Sequence, residues 1–177
     1  MKIIKQKINK LYLIKPSPFK DNRGLFRRNF CKEIFKKNNI SNNVAQANIS
    51  ENFKKLTLRG FHYQKHPYGE DKTITCIKGE IFNVTIDLRK NSKTFKKWKG
   101  FYLNEKNRYS VHIPKGCANA FLTLKNNTIV HYYCSQKYTP KAERGVRYND
   151  KTFKVKWPVK PKIISKKDRS HKDFLTN

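Results

Sequence analysis

Lys72–Leu88 reads KTITCIKGEIFNVTIDL. Its first half, TITCI, is rich in β-branched residues. In its second half Ile81, Asn83, Thr85 and Asp87 alternate with Phe82, Val84, Ile86 and Leu88, the period of two that marks a strand. Gly79-Glu80 lies between the halves, so the stretch predicts two strands joined as a hairpin at Gly79. Further β segments follow at Gly100–Leu103, Tyr109–Ile113, Ala120–Leu124 and Thr128–Cys134, with turn residues between them. Strands at this spacing, with few helices, imply an all-β sandwich or barrel.

Upstream, LRGFHYQ (Leu58–Gln64) sets an arginine, a histidine and a tyrosine among apolar residues. A histidine there can be held rigidly and still face a cavity, as a general base must. Val44–Ser50, VAQANIS, puts Gln46 and Asn48 on opposite parity to Ile49, which predicts a strand with amides on a polar face. Earlier still, Lys2–Leu13 suits short strands ended by Pro16 and Pro18, and Asp21-Asn22-Arg23-Gly24 is a turn signal. A short helix is predicted over Cys31–Lys37. The basic tail from Lys151 offers Trp157-Pro158 and Ile163-Ile164 as anchors onto the body.

The 177 residues suit one domain, 1–177, and 12 Phe, 9 Tyr and 2 Trp give bulk to a hydrophobic content of only 37%. No apolar run approaches the roughly 20 residues of a membrane-spanning helix, and lysines interrupt Met1–Lys15, so a cytoplasmic protein without membrane association is expected. Cys31, Cys76, Cys117 and Cys134 are widely spaced and read as reduced, mostly buried thiols. The net charge of +29 is spread along the chain and carried by 32 lysines against 9 arginines. With no nucleic-acid-binding motif among them, these charges fit a solvated surface better than a nucleic-acid footprint. They would still draw anionic ligands towards the protein.

LRGFHYQ, Lys72, IKGEIFNVTIDLR, IPKGCANAFLTL and KAERGVRYND occur in one order, and from about Tyr12 to Asp168 the chain resembles the dTDP-4-dehydrorhamnose 3,5-epimerase family. That resemblance implies a cupin-type jelly-roll β-barrel with a few short helices, a homodimer, and no metal or cofactor. It also implies inversion of C3 and C5 in a nucleotide-linked 4-keto-6-deoxy sugar. By matching position, His62 is the base with Asp168 as its partner, Lys72 stands beside the enolate oxygen, and Tyr132 in VHYYCSQKY is the acid. Tyr133 is turned the other way by strand alternation. Arg23 and Arg59 match diphosphate contacts, and Gln46, Asn48, Glu143 and Lys167 match substrate contacts. Tyr138 matches a tyrosine that stacks on the nucleobase.

Two positions depart from the family pattern. GCANAF places Asn119 where the best-known members have a histidine in GFAHGF, and an amide cannot carry charge at neutral pH. Inversion of one carbon only, or another sugar, becomes an alternative, and the absence of a paired HxH argues against a metal-dependent cupin. Arg28 stands where rhamnose-pathway members generally have an acidic residue near the nucleotide, which bears on the base recognised. Taken singly, His62 and Tyr132 also read as core residues, and Lys72, Glu143 and Arg23 as surface charges. A 3,4-ketoisomerase and a non-catalytic sugar- or nucleic-acid-binding cupin are the rival readings.

Overall fold

Residues 1–174 are described by a computed structural model. In chain order the strands are β1 (Lys2–Lys5), β2 (Tyr12–Lys15), β3 (Phe19–Asp21), β4 (Gly24–Phe26), β5 (Gln46–Asn52), β6 (Thr57–Gln64) and β7 (Lys72–Lys78). They continue with β8 (Glu80–Asp87), β9 (Trp98–Asn104), β10 (Ser110–Ile113), β11 (Cys117–Thr123), β12 (Thr128–Cys134), β13 (Glu143–Gly145) and β14 (Ile163–Ile164). Two short helices, α1 (Lys32–Lys37) and α2 (Lys166–Ser170), complete the all-β architecture.

Two sheets face each other in a jelly-roll barrel. One runs β1-β2-β10-β7-β12-β5 and the other β13-β6-β11-β8-β9, with β14 parallel to β6. At one end of the interior they close on an apolar plug that includes Leu11, Ile74, Ile81, Phe101, Leu103, Val111 and Val130. The outer face of the first sheet is covered by the α1 region, where Phe35 packs with Tyr12, Ile14 and Tyr133. The outer face of the second is covered by the C-terminal segment, where Phe153 and Trp157 pack on Phe61, Phe82, Val84 and Ile86. Ile164 adds an anchor against Leu58 and Leu122.

The predicted hairpin at Gly79 is not formed. β7 pairs with β10 and β12, whereas β8 pairs with β11 and β9. Gly79 turns the chain from one sheet into the other at φ +80°, and a Cβ there would come within 2.5 Å of Thr128 Oγ1. A corner and a hairpin share the same glycine signal.

Interior polarity is also reversed in places. On β5, Gln46, Asn48 and Ser50 face inwards while Ile49 is 67% exposed. On β8, Phe82, Val84 and Ile86 belong to the outer cluster under the C-terminal segment, and Asn83 lies on the side of Asn119. All four cysteines are free thiols and three are buried, as expected. Among the described residues no helix is long and apolar enough to cross a membrane.

Candidate active site

Away from the apolar plug, the two sheets part around a cleft. One lobe, of about 330 Å³, is lined by Ser50, Arg59, His62, Lys72, Asn119 and Tyr132 among others. A second lobe of about 300 Å³ shares His62, Lys72 and Tyr132 and adds Gln46, Asn48, Glu70, Tyr138 and Glu143. His62 and Asn119 come from the second sheet, on β6 and β11. Lys72 and Tyr132 come from the first, on β7 and β12.

Arg59 and His62 are three residues apart, so a regular strand would send them to opposite faces. Here Arg59 pairs with Phe121 and His62 with Asn119, so β6 carries one residue more than β11 over this span. This bulge brings Arg59 and His62 to the same wall. It is possible because Gly60 has φ +110° and its Cα hydrogens lie where a Cβ would meet Asn119 O at 2.5 Å.

His62 Nε2 lies 2.8 Å from Asp168 Oδ1, and Asp168 Oδ2 accepts the Gly60 N–H at 3.0 Å. Burial pushes the Asp168 carboxyl up, but the His62 and Gly60 hydrogen bonds outweigh it and hold the group below its usual range. The Asp168 carboxylate therefore fixes a proton on Nε2 and leaves the Nδ1 lone pair of His62 as the basic site. Asp168 is placed by α2, whose N-cap Ser165 accepts the Asp168 N–H at 3.0 Å.

Lys72 Nζ pairs with Glu70 Oε1 at 2.9 Å and lies 5.4 Å from the centre of the Tyr132 ring. Burial lowers the Lys72 pKa, but Glu70 and, less strongly, Cys134 raise it, and the net shift is upwards. Tyr132 is shifted upwards as well: burial raises its phenol pKa against the opposing pull of Lys72, so the hydroxyl keeps its proton. Tyr133 points to the outer cluster with Phe30 and Phe35.

In the second lobe Tyr138 Oη donates to Glu143 Oε2 at 2.6 Å, and Lys167 Nζ pairs with the same carboxylate oxygen. Gln46 Oε1 accepts the Tyr138 N–H at 2.7 Å, and Gln46 Nε2 donates to Asn48 Oδ1 at 3.2 Å. Arg59 Nε is tethered to Asn52 Oδ1 at 2.8 Å.

Asn119 lies in the wall of the cleft. Its NH2 donates to Asn83 Oδ1 at 2.7 Å and to Val84 O at 3.0 Å. The reversed amide would set an oxygen against two acceptors, so the cleft is offered only the carbonyl oxygen. Asn119 therefore supplies no donor to an oxyanion. Arg23 and Arg28 are also not brought to the cleft of their own chain. Arg23 sits on the β3–β4 hairpin, which among the described residues pairs only with itself, and its side chain is 83% exposed beside Asp21. Arg28 is exposed just beyond that hairpin.

Glu70 and His171 were not singled out in the sequence, although both carry a local signal. Glu70 shares parity with Lys72, and His171 follows Asp168 at the three-residue spacing of one helical turn. His171 Nε2 lies 4.0 Å from Asp168 Oδ1.

The family model for dTDP-4-dehydrorhamnose 3,5-epimerase matches residues 5–175. A dTDP-4-dehydrorhamnose 3,5-epimerase of Shigella flexneri is 35% identical over 177 residues, covering 99% of this chain and 97% of that protein. The crystal structure of the corresponding Bacillus anthracis strain Ames enzyme, with TDP and pyrophosphate bound, superposes with a TM-score of 0.94 at 36% identity, covering 98% of this chain and 99% of the other. A 3′-monoepimerase from Streptomyces bikiniensis, in complex with dTDP-quinovose, has a TM-score of 0.90 at 27% identity, covering 96% and 86%. With a matching family model over nearly its whole length and this barrel around a His–Asp pair, the chain belongs to the dTDP-4-dehydrorhamnose 3,5-epimerase family.

Proposed function

We propose that the protein epimerises a dTDP-4-keto-6-deoxy sugar, with dTDP-4-dehydro-6-deoxyglucose as the first substrate to try, in deoxysugar synthesis for surface polysaccharide. The 4-keto group acidifies the neighbouring C–H bonds. His62 Nδ1 takes the proton, the C–H electron pair moves into the C–C bond, and the carbonyl π pair moves onto O4. Lys72, kept cationic by Glu70, stabilises the enolate that results. Tyr132 returns a proton to carbon from the other side, inverting the centre.

The observation that carries this reading is the placement of His62 and Tyr132 on opposite sheets across one cleft, with Lys72 also lining it. A module that only binds sugar needs no such pairing. Arg59 and Lys167 are suited to the diphosphate, and Tyr138 to stacking on the base.

A homodimer fits the same reading. The β3–β4 hairpin exposes Phe19 and Phe26, at 63% and 69%, and β5 leaves a sheet edge carrying exposed Ile49. The hairpin arm would then carry Arg23 to the partner's diphosphate, with Arg28 beside the nucleotide. Free thiols throughout favour a reducing compartment such as the cytoplasm, and the domain is taken as 1–177.

A second reading, inversion of one carbon, is favoured by Asn119, whose NH2 is spent inside the wall and leaves Lys72 as the enolate donor. Proton NMR of the substrate in D2O, following H3 and H5 separately, tests both. Loss of both signals is expected for a 3,5-epimerase and loss of one for a monoepimerase. His62→Ala should lower exchange by about 10³-fold or more; exchange near the wild-type rate would remove His62 from the base role.

A further inference from the structure

We propose that His62, Asp168 and His171 form a site for a borderline transition metal, with Zn2+ the best fit, and that filling it switches the enzyme off. This effect on turnover rests on His62 being the base; the binding itself does not. One ring nitrogen from each histidine and an Asp168 carboxylate oxygen all lie within 4.8 Å of one another. Asp168 Oδ1 stands between the two rings, 2.8 Å from His62 Nε2 and 4.0 Å from His171 Nε2. The rings themselves are 6.4 Å apart and nearly perpendicular, at 79°.

His171 is the informative member. Its Nε2 is buried and without a hydrogen-bond partner, a costly state for a polar atom unless something occupies that position. The ring is also held in place. Gly145 pairs with His62 on the neighbouring strand, and a Cβ at 145 would overlap the His171 imidazole. The absence of a side chain at 145 thus lets His171 lie against the strand with Nε2 4.0 Å from Asp168 Oδ1.

Two imidazole nitrogens and one carboxylate oxygen make a ligand set suited to Zn2+ and its neighbours, and poorly suited to Mg2+ or Ca2+. Ligand atoms in a tetrahedral zinc site lie roughly 3.3 Å apart, given bonds of about 2.0–2.2 Å. The gaps of 2.8 and 4.0 Å lie on either side of that value, so small side-chain rotations would close the site. Three protein ligands leave the fourth position for water.

Binding shifts a proton within the His62 ring, with no net proton release and no redox change. The metal takes the Nε2 lone pair of His62, and the proton held there moves to Nδ1 through solvent. Nδ1 is the atom that must be unprotonated to accept the sugar's proton, so the bound metal removes the base even if substrate can still enter.

The test uses the full-length protein. Metal-free enzyme is titrated with Co2+ and Zn2+ against a chromophoric chelator, while substrate exchange in D2O is followed with Zn2+ and with EDTA. One equivalent should bind, with visible d–d bands for Co2+, and Zn2+ should inhibit reversibly. His171→Gln and Gly145→Ala, the latter displacing the ring, should each weaken binding by at least about tenfold. The Zn2+ concentration that halves each variant's own metal-free rate should rise in step. His131→Ala serves as a control and should not alter either value. Wild-type binding retained in both variants, or no stoichiometric binding, would overturn the proposal. Binding as described by a protein that turns over no dTDP sugar would uphold the site and refute the epimerase reading instead.

Discussion

In an enclosed place, the residue two positions before Lys72 gives the largest support to its charge. Burial works to discharge the ammonium, and Glu70, 2.9 Å away, more than reverses this. The sign is testable. In Glu70→Gln the raising influence is lost and desolvation remains, so the Lys72 pKa falls and the alkaline loss of kcat should begin at lower pH than in wild type. Lys72→Met should lower kcat by about 10²–10³-fold at every pH, by analogy with removal of one oxyanion donor elsewhere. An unchanged alkaline limb in Glu70→Gln would mean that Lys72 does not set it. Residues of this kind were only partly legible. His62, Lys72, Tyr132 and Asp168 were readable because they match motifs in order, and the structure brings them together. Glu70 and His171 matched no motif; their importance lies in spatial partners that a linear reading does not give.

At the scale of elements, strand positions were legible and strand faces were not. Alternation is a property of the extended backbone, so β5, β7, β8 and β12 fall where the pattern puts them. Which parity faces inwards depends on what the interior holds. A barrel that binds a polar ligand reverses the usual rule, which is why Gln46 and Asn48 point in and Ile49 points out. The bulge in β6 is a further case, because LRGFHYQ shows a glycine but not the extra residue that puts Arg59 beside His62. Gly60→Ala tests that account. A Cβ would meet Asn119 O at 2.5 Å and Ala120 Cα at 2.8 Å, both backbone atoms that cannot swing aside. The strand should shift rather than absorb the methyl group, costing about 1–3 kcal/mol in denaturant unfolding. Turnover should fall by at least about 10²-fold, since a displacement near 1 Å can cost that much. A stable, fully active Gly60→Ala would show that the bulge does not position His62.

At the scale of the molecule, one acid-sensitive group is a histidine that does not line the cleft. His112 is buried on the outer side of the first sheet, with Thr73 Oγ1 2.8 Å from its Nδ1 and the Tyr12 and Phe35 rings around it. Burial depresses its pKa to about 4, against an opposing influence of Asp71, so the 3.9 Å approach to Asp71 is not an ion pair at neutral pH. Above its ordinary value near 6.5 neither state binds the proton, and stability does not depend on this group. As pH falls from 6.5 to 4 the unfolded chain gains a proton that the native chain refuses, and stability should drop by roughly 3 kcal/mol. Urea unfolding at pH 7 and pH 4.5 should show the drop, and His112→Gln should remove most of it. An equal drop in the variant would assign it to other groups.

The assembly can be tested through Arg23, a predicted ligand contact that a single chain does not make. Arg23 is 83% exposed on a hairpin that touches neither sheet as a paired strand, yet it matches a diphosphate-binding position. If it serves the partner's cleft, His62→Ala and Arg23→Ala damage different halves of a shared site. Each variant alone should be strongly impaired, Arg23→Ala chiefly in KM. In a mixed dimer one cleft carries both defects and the other carries neither. Mixing the two variants under conditions that exchange subunits should therefore restore activity towards one quarter of wild type, half the dimers being mixed and each mixed dimer having one intact site of two. If Arg23 acted within its own chain, every cleft of the mixed dimer would keep one defect and nothing would be restored. Sedimentation should report a dimer in both variants, and a wild-type monomer that turns over substrate at full rate would exclude the shared site altogether.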